Sequence, residues 1–286
     1  MNFDNLKEWV GKSELLEDIA AAAPLAGLAA TLDHGATPWR SGEVPPLGHW
    51  LYFLPRARQS EISEDGHPKR GGFLPPVPLP RRMWAGSRLT FKAPMTIGEP
   101  LQRRSTIIKV DSKTGRTGAL VFVTVAHELT NAAGQVVYEE QDIVYKEEAP
   151  QGEAQKGEAT PAKPAPAESR QADWSRTITP DPVLLFRFSA LTFNAHRIHY
   201  DRPYCSEVEG YPGLVVHGPL TATMLMDLFL RNNPAAVVTS FSFRGQRPLF
   251  DINPFTLCGK ARDGGAELWA VDSAGQVAMT AELEAQ

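Results

Sequence analysis

The chain has 286 residues, 42% apolar and 22% charged, enough for one very large domain or for two of about 130 residues each. A formal net charge of −4 gives no overall basic footprint for nucleic acid, and the two cysteines, Cys205 and Cys258, exclude a disulfide framework or a four-thiolate metal site. No apolar run approaches the ~20 residues of a membrane span, and the opening MNFDNLKEWVGKSELLEDIA lacks the apolar centre of a signal peptide, so a cytoplasmic protein binding neither nucleic acid nor membrane is expected.

Past this opening come LAATLDHGATP (28–38), GHWLYFLP (48–55) and GHPKRGGFLPPVPLPRRMWAGSRL (66–89). The last suits a polyproline-type surface loop, and equally a rigid loop closing over a ligand with Lys69, Arg70, Arg81 and Arg82 open to phosphate or carboxylate. Alternation of apolar and polar residues then marks long strands in SRLTFKAPMTIGEP (87–100), QRRSTIIKVDSKTG (102–115) and GALVFVTVAHELTNAAGQVVYEEQDIVY (118–145), the last folding back at 131–134.

Residues 147–175 are rich in Ala, Pro, Glu, Lys and Gln and almost free of large apolar side chains, so they cannot bury enough surface to offset ordering. They read as a flexible linker between an N-terminal half, 1–146, and a C-terminal half, 176–286. In the second half an apolar segment (183–191) leads into LTFNAHRIHYD (191–201). HGPLTATMLMDLFLRNN (217–233) then has a Gly-Pro start, apolar residues at helical spacing and an Asn-Asn-Pro stop. Strands follow in VVTSFSFRGQ, FTLCGKARDG and ELWAVDSAGQVAMTAELE, the last a hairpin turning at 273–275.

The two halves repeat: LTFKAP parallels FSFRGQ, and AGQVVYEE parallels AGQVAMTA. Two copies of a helix packed on a curved antiparallel sheet make an α+β protein. Upstream the parallel weakens, and the first half has no counterpart of His199 or of the Gly-Pro helix start. Any chemistry is therefore expected in the second half.

His196, His199 and His217 admit three readings. They are metal ligands, though HxxH comes here without carboxylates at recognisable spacing; or interior histidines satisfied by backbone carbonyls; or an acid/base centre. For the third, histidine titrates closest to neutrality, Asn194 can orient water, and the Gly218 N–H at a helix start can hold a developing enolate oxygen.

Residues 183–226, VLLFRFSALTFNAHRIHYDRPYCSEVEGYPGLVVHGPLTATMLM, resemble the hydratase segment of the MaoC-like double hot-dog enoyl-thioester hydratases and dehydratases. The resemblance puts the family's catalytic His on His199, its oxyanion Gly on Gly218 and its Asp on Asn194, with His196 where relatives have Asn and Arg197 where they have Pro. TFNAHRIHYD, together with PPLGHWLYFLP and the proline-rich stretch, is similar to one subgroup. It comprises the type 2 3-hydroxyacyl-thioester dehydratases and the itaconyl-CoA and mesaconyl-C4-CoA hydratases.

The resemblance implies a double hot-dog hydro-lyase that needs no cofactor or metal and takes an acyl-CoA thioester. It implies reversible hydration of a branched dicarboxylic enoyl-CoA to citramalyl-CoA. His199, Asn194 and Gly218 are then catalytic, and Arg197, Arg82, His196, His217, Arg244 and Arg247 meet the substrate. A type 2 dehydratase of monocarboxylic thioesters, a non-catalytic acyl-thioester binder and a thioesterase are the alternatives, and a monomer and a homodimer are both open.

Overall fold

A computed structural model describes residues 3–115, 118–147 and 171–286. The N-terminal half comprises β1 (Ser13–Ile19), α1 (Ala22–Thr31), β2 (Glu43–Val44), β3 (Arg81–Phe91), β4 (Met95–Thr96), β5 (Pro100–Gly115), β6 (Gly118–Asn131) and β7 (Gly134–Lys146). The C-terminal half comprises β8 (Trp174–Ile178), α2 (Pro182–Thr192), α3 (Gly218–Asn232), β9 (Val238–Gly245), β10 (Phe255–Arg262), β11 (Gly265–Val271) and β12 (Val277–Ala285). The expected linker lies mostly outside the described residues; its last two, Trp174 and Ser175, open β8.

Ten strands form one antiparallel sheet in the order β1-β5-β6-β7-β3-β9-β12-β11-β10-β8, while β2 and β4 pair separately. Read outward from the β3–β9 seam, each half repeats the other's strand order. The seam pairs Leu89 with Phe241 and Ser87 with Phe243, so the sequence repeat LTFKAP/FSFRGQ meets itself across a pseudo-two-fold axis. A Cβ on Gly86 would sit 2.3 Å from the Phe243 carbonyl oxygen, so β3 and β9 approach this closely only because that residue is glycine.

β3 begins at Arg81, six residues before the strand expected from alternation at 87–100, and the expected strand stops at Phe91. Arg82 therefore stands on a strand, paired with Tyr145, and not in the proline-rich loop. That correction has a simple cause: the prolines end at Pro80, and Arg81 is the first residue free to donate to a ladder.

In the second half the sheet wraps α3, whose residues from Leu220 to Phe229 are all buried, the pattern of a central helix. Pro219 stands in its first turn, where a missing N–H costs nothing. In the first half the corresponding place in chain order holds only a 3-10 turn, Gly48–Leu51. Buried Asp227 of α3 ties the halves together, accepting hydrogen bonds from Arg176 and Arg231 and meeting His34 Nε2 at 2.6 Å. Two sheet repeats in one chain, the second wrapped on α3 and the first with only the 3-10 turn in that place, constitute the double hot-dog arrangement, with an open cleft of about 2630 Å³ lined by both halves.

Candidate active site

α2 starts on an Asp181 cap, its carboxylate accepting the Leu184 N–H at 2.7 Å, and ends at Phe193 in the left-handed region, φ 48°. This reversal delivers Asn194, His196 and His199 to the cleft wall. Asn194 Oδ1 accepts the His196 N–H at 3.0 Å, an Asx turn that commits the amide oxygen to the backbone and leaves the NH₂ as the group it can offer to the cleft.

His199 is 7% exposed, and its Nδ1–H donates to the Val215 carbonyl at 2.7 Å. That bond selects the tautomer with a lone pair on Nε2. Burial pushes its pKa down to about 4, so the imidazole is a neutral base at neutral pH. Its ring stacks on His217, with centroids 3.7 Å apart and planes inclined 20°. His217 Nε2 pairs with Ser189 Oγ at 2.9 Å, and burial holds its pKa far below the ordinary range. His217, expected against substrate, is 1% exposed and sits behind His199 instead of on the wall of the cleft.

The Arg197 guanidinium also faces elsewhere. It binds Asp201 Oδ2 at 2.7 and 2.9 Å, donates to the Glu64 carbonyl at 3.2 Å and lies 4.0 Å from the Tyr204 ring centroid. Its place is in the packing of this loop against residues 64–65, and not against the substrate as the resemblance implied.

A segment of the N-terminal half completes this end of the cleft. The Arg197 N–H donates to the Asp65 carbonyl at 2.9 Å, and a Cβ on Gly66, at φ +90°, would sit 1.7 Å from the Ala195 carbonyl oxygen. Next to that contact, Asp65 Oδ2 binds His67 Nδ1 at 3.0 Å, and the His67 ring lies 4.1 Å from that of His196. Burial works to raise the Asp65 pKa, but hydrogen bonds and charge from His67 hold it well below the usual carboxylate range. Sequence reading missed both residues; the one local sign was the Asp-Gly-His triplet opening the proline-rich stretch.

The four cations expected to be open to phosphate or carboxylate separate clearly. Lys69 binds the Ser60 carbonyl at 2.8 Å, Arg70 the carbonyls of Val77, Leu79 and Pro80, and Arg81 the Glu209 carboxylate at 3.2 Å. Arg82 has no such carbonyl or carboxylate partner among the described residues, and it lines the cleft beside His67 and His196; its charge is the next cause after burial of the depressed pKa of His67 and a minor one for His196. The ligand atoms of Asp65, His67 and His196 lie within 4.8 Å of one another, a set able to hold a metal ion, but the neighbouring guanidinium opposes a divalent cation there.

Gly218 lines the cleft as the first residue of α3, where N–H groups lack helical acceptors and the helix dipole favours negative charge. Trp84, Trp50 and Phe243, with ring centroids 5.0 to 6.0 Å apart, form an apolar wall nearby. Arg244, near the end of β9, and Arg247, just beyond it, are both exposed and line the cleft.

In the first half Glu139 lies 2% exposed, accepting from Ser87 Oγ at 2.7 Å and Trp50 Nε1 at 3.0 Å and meeting His49 Nε2 at 3.0 Å. Burial favours its neutral form, yet the bonds from His49 and Trp50 hold its pKa at about 2.

A neutral, tautomer-fixed imidazole beside a helix N-terminus, in a double hot-dog cleft, is the arrangement that a hydro-lyase of the acyl-thioester hydratase and dehydratase class needs. The family model for hydroxyacyl-thioester dehydratase type 2 matches residues 46–251. The chain belongs to that family. It is 48% identical over 277 residues to a mesaconyl-C(4)-CoA hydratase of Chloroflexus aurantiacus, covering 96% of each chain. It is 26% identical to a mitochondrial hydroxyacyl-thioester dehydratase type 2 of Schizosaccharomyces pombe, covering 85% of this chain and 89% of the other. The crystal structure of a MaoC-like dehydratase from Phytophthora capsici superimposes with a TM-score of 0.67, covering 100% and 99% of the two chains; at 15% identity this likeness is one of fold. No helix among the described residues is long and apolar enough to cross a membrane.

Proposed function

We propose that this protein hydrates a branched dicarboxylic enoyl-CoA, mesaconyl-C4-CoA or itaconyl-CoA, reversibly to citramalyl-CoA, in the cytoplasm. The observation that carries the substrate class is Arg82: a partly buried guanidinium on the cleft wall, without a carboxylate of the protein, beside the imidazoles of the reacting end. In mesaconyl-C4-CoA the free carboxylate is borne by C3, the carbon that receives hydroxide. A cation next to His196 supports a substrate carrying a carboxylate on that carbon, since a charge-assisted pair there is strong. The 48% identity to a hydratase named for this substrate supports the same reading.

With mesaconyl-C4-CoA, whose double bond is conjugated with the thioester, His199 Nε2 takes a proton from water held by the Asn194 amide as hydroxide adds to C3. The π electrons move to the thioester oxygen, held by the Gly218 N–H, and C2 is then protonated. Arg244 and Arg247 at the rim meet the CoA phosphates, and the tryptophan wall covers the apolar part of the thioester arm. The rival reading, dehydration of monocarboxylic 3-hydroxyacyl thioesters, is favoured by the family match and the fission-yeast relative. The test is turnover of mesaconyl-C4-CoA, itaconyl-CoA and crotonyl-CoA by wild type and Arg82→Gln. Preference for crotonyl-CoA, indifferent to Arg82, would establish the rival.

A further inference from the structure

The imidazoles of His67, His196, His199 and His217 form a continuous row, with successive centroids 4.1, 5.4 and 3.7 Å apart. Each is depressed in pKa, by burial first. A proton taken up by His199 therefore creates a cation in a buried row that also faces Arg82 from β3 and Arg70 from the proline-rich segment. A buried charge is costly, so a carboxylate of the protein close to the row would stabilise this protonated state in addition to the enolate formed with it.

The segment bearing His199 supplies none. Asn194 is neutral, and Asp201 is bound to Arg197. The carboxylate that reaches the row comes from the other half of the chain: Asp65, whose two oxygens take the His67 backbone N–H at 2.9 Å and Nδ1 at 3.0 Å. Its position is specified by the surrounding backbone. Ser63 N–H donates to the His67 carbonyl at 2.7 Å, Arg197 binds the carbonyls of Glu64 and Asp65, and Gly66 fits under Ala195 with no room for a side chain.

We propose that Asp65, acting through His67, is the counter-charge for the imidazolium formed on this row during water addition, a positioning residue that the N-terminal half contributes to the hydratase site. The inference rests on the hydratase reading above. As water's O–H bond breaks, its proton goes to His199 Nε2, the C3–O bond forms and the π pair moves to the thioester oxygen. The same proton is then returned to C2, so the row carries the extra charge only between those two events. The Asp65 carboxylate, held ionised by His67, stabilises that interval without touching substrate.

The test compares wild type, Asp65→Asn, Asp65→Glu and Gly66→Ala on whichever enoyl-CoA wild type turns over fastest. In Asp65→Asn, kcat should fall about tenfold or more, a fraction of the ~10⁴ lost when a carboxylate bonded directly to a catalytic histidine is neutralised. KM should stay nearly constant, and the acidic limb of the kcat profile should move to lower pH, because removing the anion lowers the row's proton affinity. Asp65→Glu should restore part of kcat, and Gly66→Ala, which displaces the loop, should reproduce the Asp65→Asn defect. An unmoved acidic limb with unchanged kcat would overturn the proposal. So would activity abolished by a chelator and restored by zinc or manganese, which would make the Asp65, His67 and His196 group a metal site. NMR titration of the imidazoles without substrate separates the two readings: a downward shift of the row in Asp65→Asn is expected even if wild type rejects every enoyl-CoA, the result that would defeat the hydratase reading alone.

Discussion

The His199 ring lies face to face on His217, 3.7 Å between centroids, while its Nδ1–H is tied to the Val215 carbonyl. These two restraints fix the plane and the tautomer of one imidazole and direct its Nε2 lone pair to the cleft. Replacing it removes the proton acceptor without removing the helix or strands that surround it. His199→Ala should keep the wild-type circular dichroism spectrum and lose activity by at least about 10², the lower range for a general base. Turnover within about tenfold of wild type would place the base elsewhere.

The depressed histidines also make stability depend on pH. His199 binds its proton near pH 4 when folded and near 6.5 when unfolded, so between these values the unfolded chain binds more protons. The stabilisation from its neutral form is complete above about 6.5 and is lost as pH falls toward 4, with His196 and His217 shifted in the same direction. Glu139 acts lower: its ionised form contributes fully above about 4.5 and is lost as pH falls toward about 2. The melting temperature should therefore decline as pH is lowered from 7 to 4, and the decline in that window should be smaller in His199→Gln.

Arg82 sets substrate choice in this scheme. Arg82→Gln should lower kcat/KM for the dicarboxylic thioester by about 30-fold or more, the equivalent of the 2 kcal/mol or more lost when a buried charge pair is truncated. Turnover of crotonyl-CoA should change by less than about threefold, since a small uncharged group at C3 leaves the guanidinium unused. Arg197→Gln should affect both substrates alike, through loop packing and not through charge at the cleft.

Asn194 offers a donor where a carboxylate can only accept. Asn194→Asp preserves the Asx turn to the His196 N–H, so the fold should survive. Its negative charge would meet the substrate's own carboxylate. Turnover of the dicarboxylic substrate should drop by about tenfold or more while crotonyl-CoA hydration is retained, a difference read directly from the two kcat/KM values.

The strand-rich tail of each half was legible because one face of each strand is buried, which leaves period-two alternation in the sequence. β1 and β8 left no comparable mark: β1, SELLEDI, is an edge strand with no buried residue. That Asn194, His196, His199 and Gly218 share the cleft wall could be read because the loop and helix start are local. Asp65 and His67 could not, since their meeting with His196 is created by docking two segments some 130 residues apart. Arg197 was misread although its answer stood four residues on: Asp201 lies at the spacing of a side-chain ion pair, and that partner takes the guanidinium.

The most direct measurement is loss of the enoyl-thioester absorbance with mesaconyl-C4-CoA, itaconyl-CoA and crotonyl-CoA as separate substrates, with product mass and free thiol determined in each. The expected result is fastest turnover of a dicarboxylic thioester, a mass gain of one water and no release of CoA. Preferential hydration of crotonyl-CoA, liberation of free CoA, or binding without any absorbance change would contradict it.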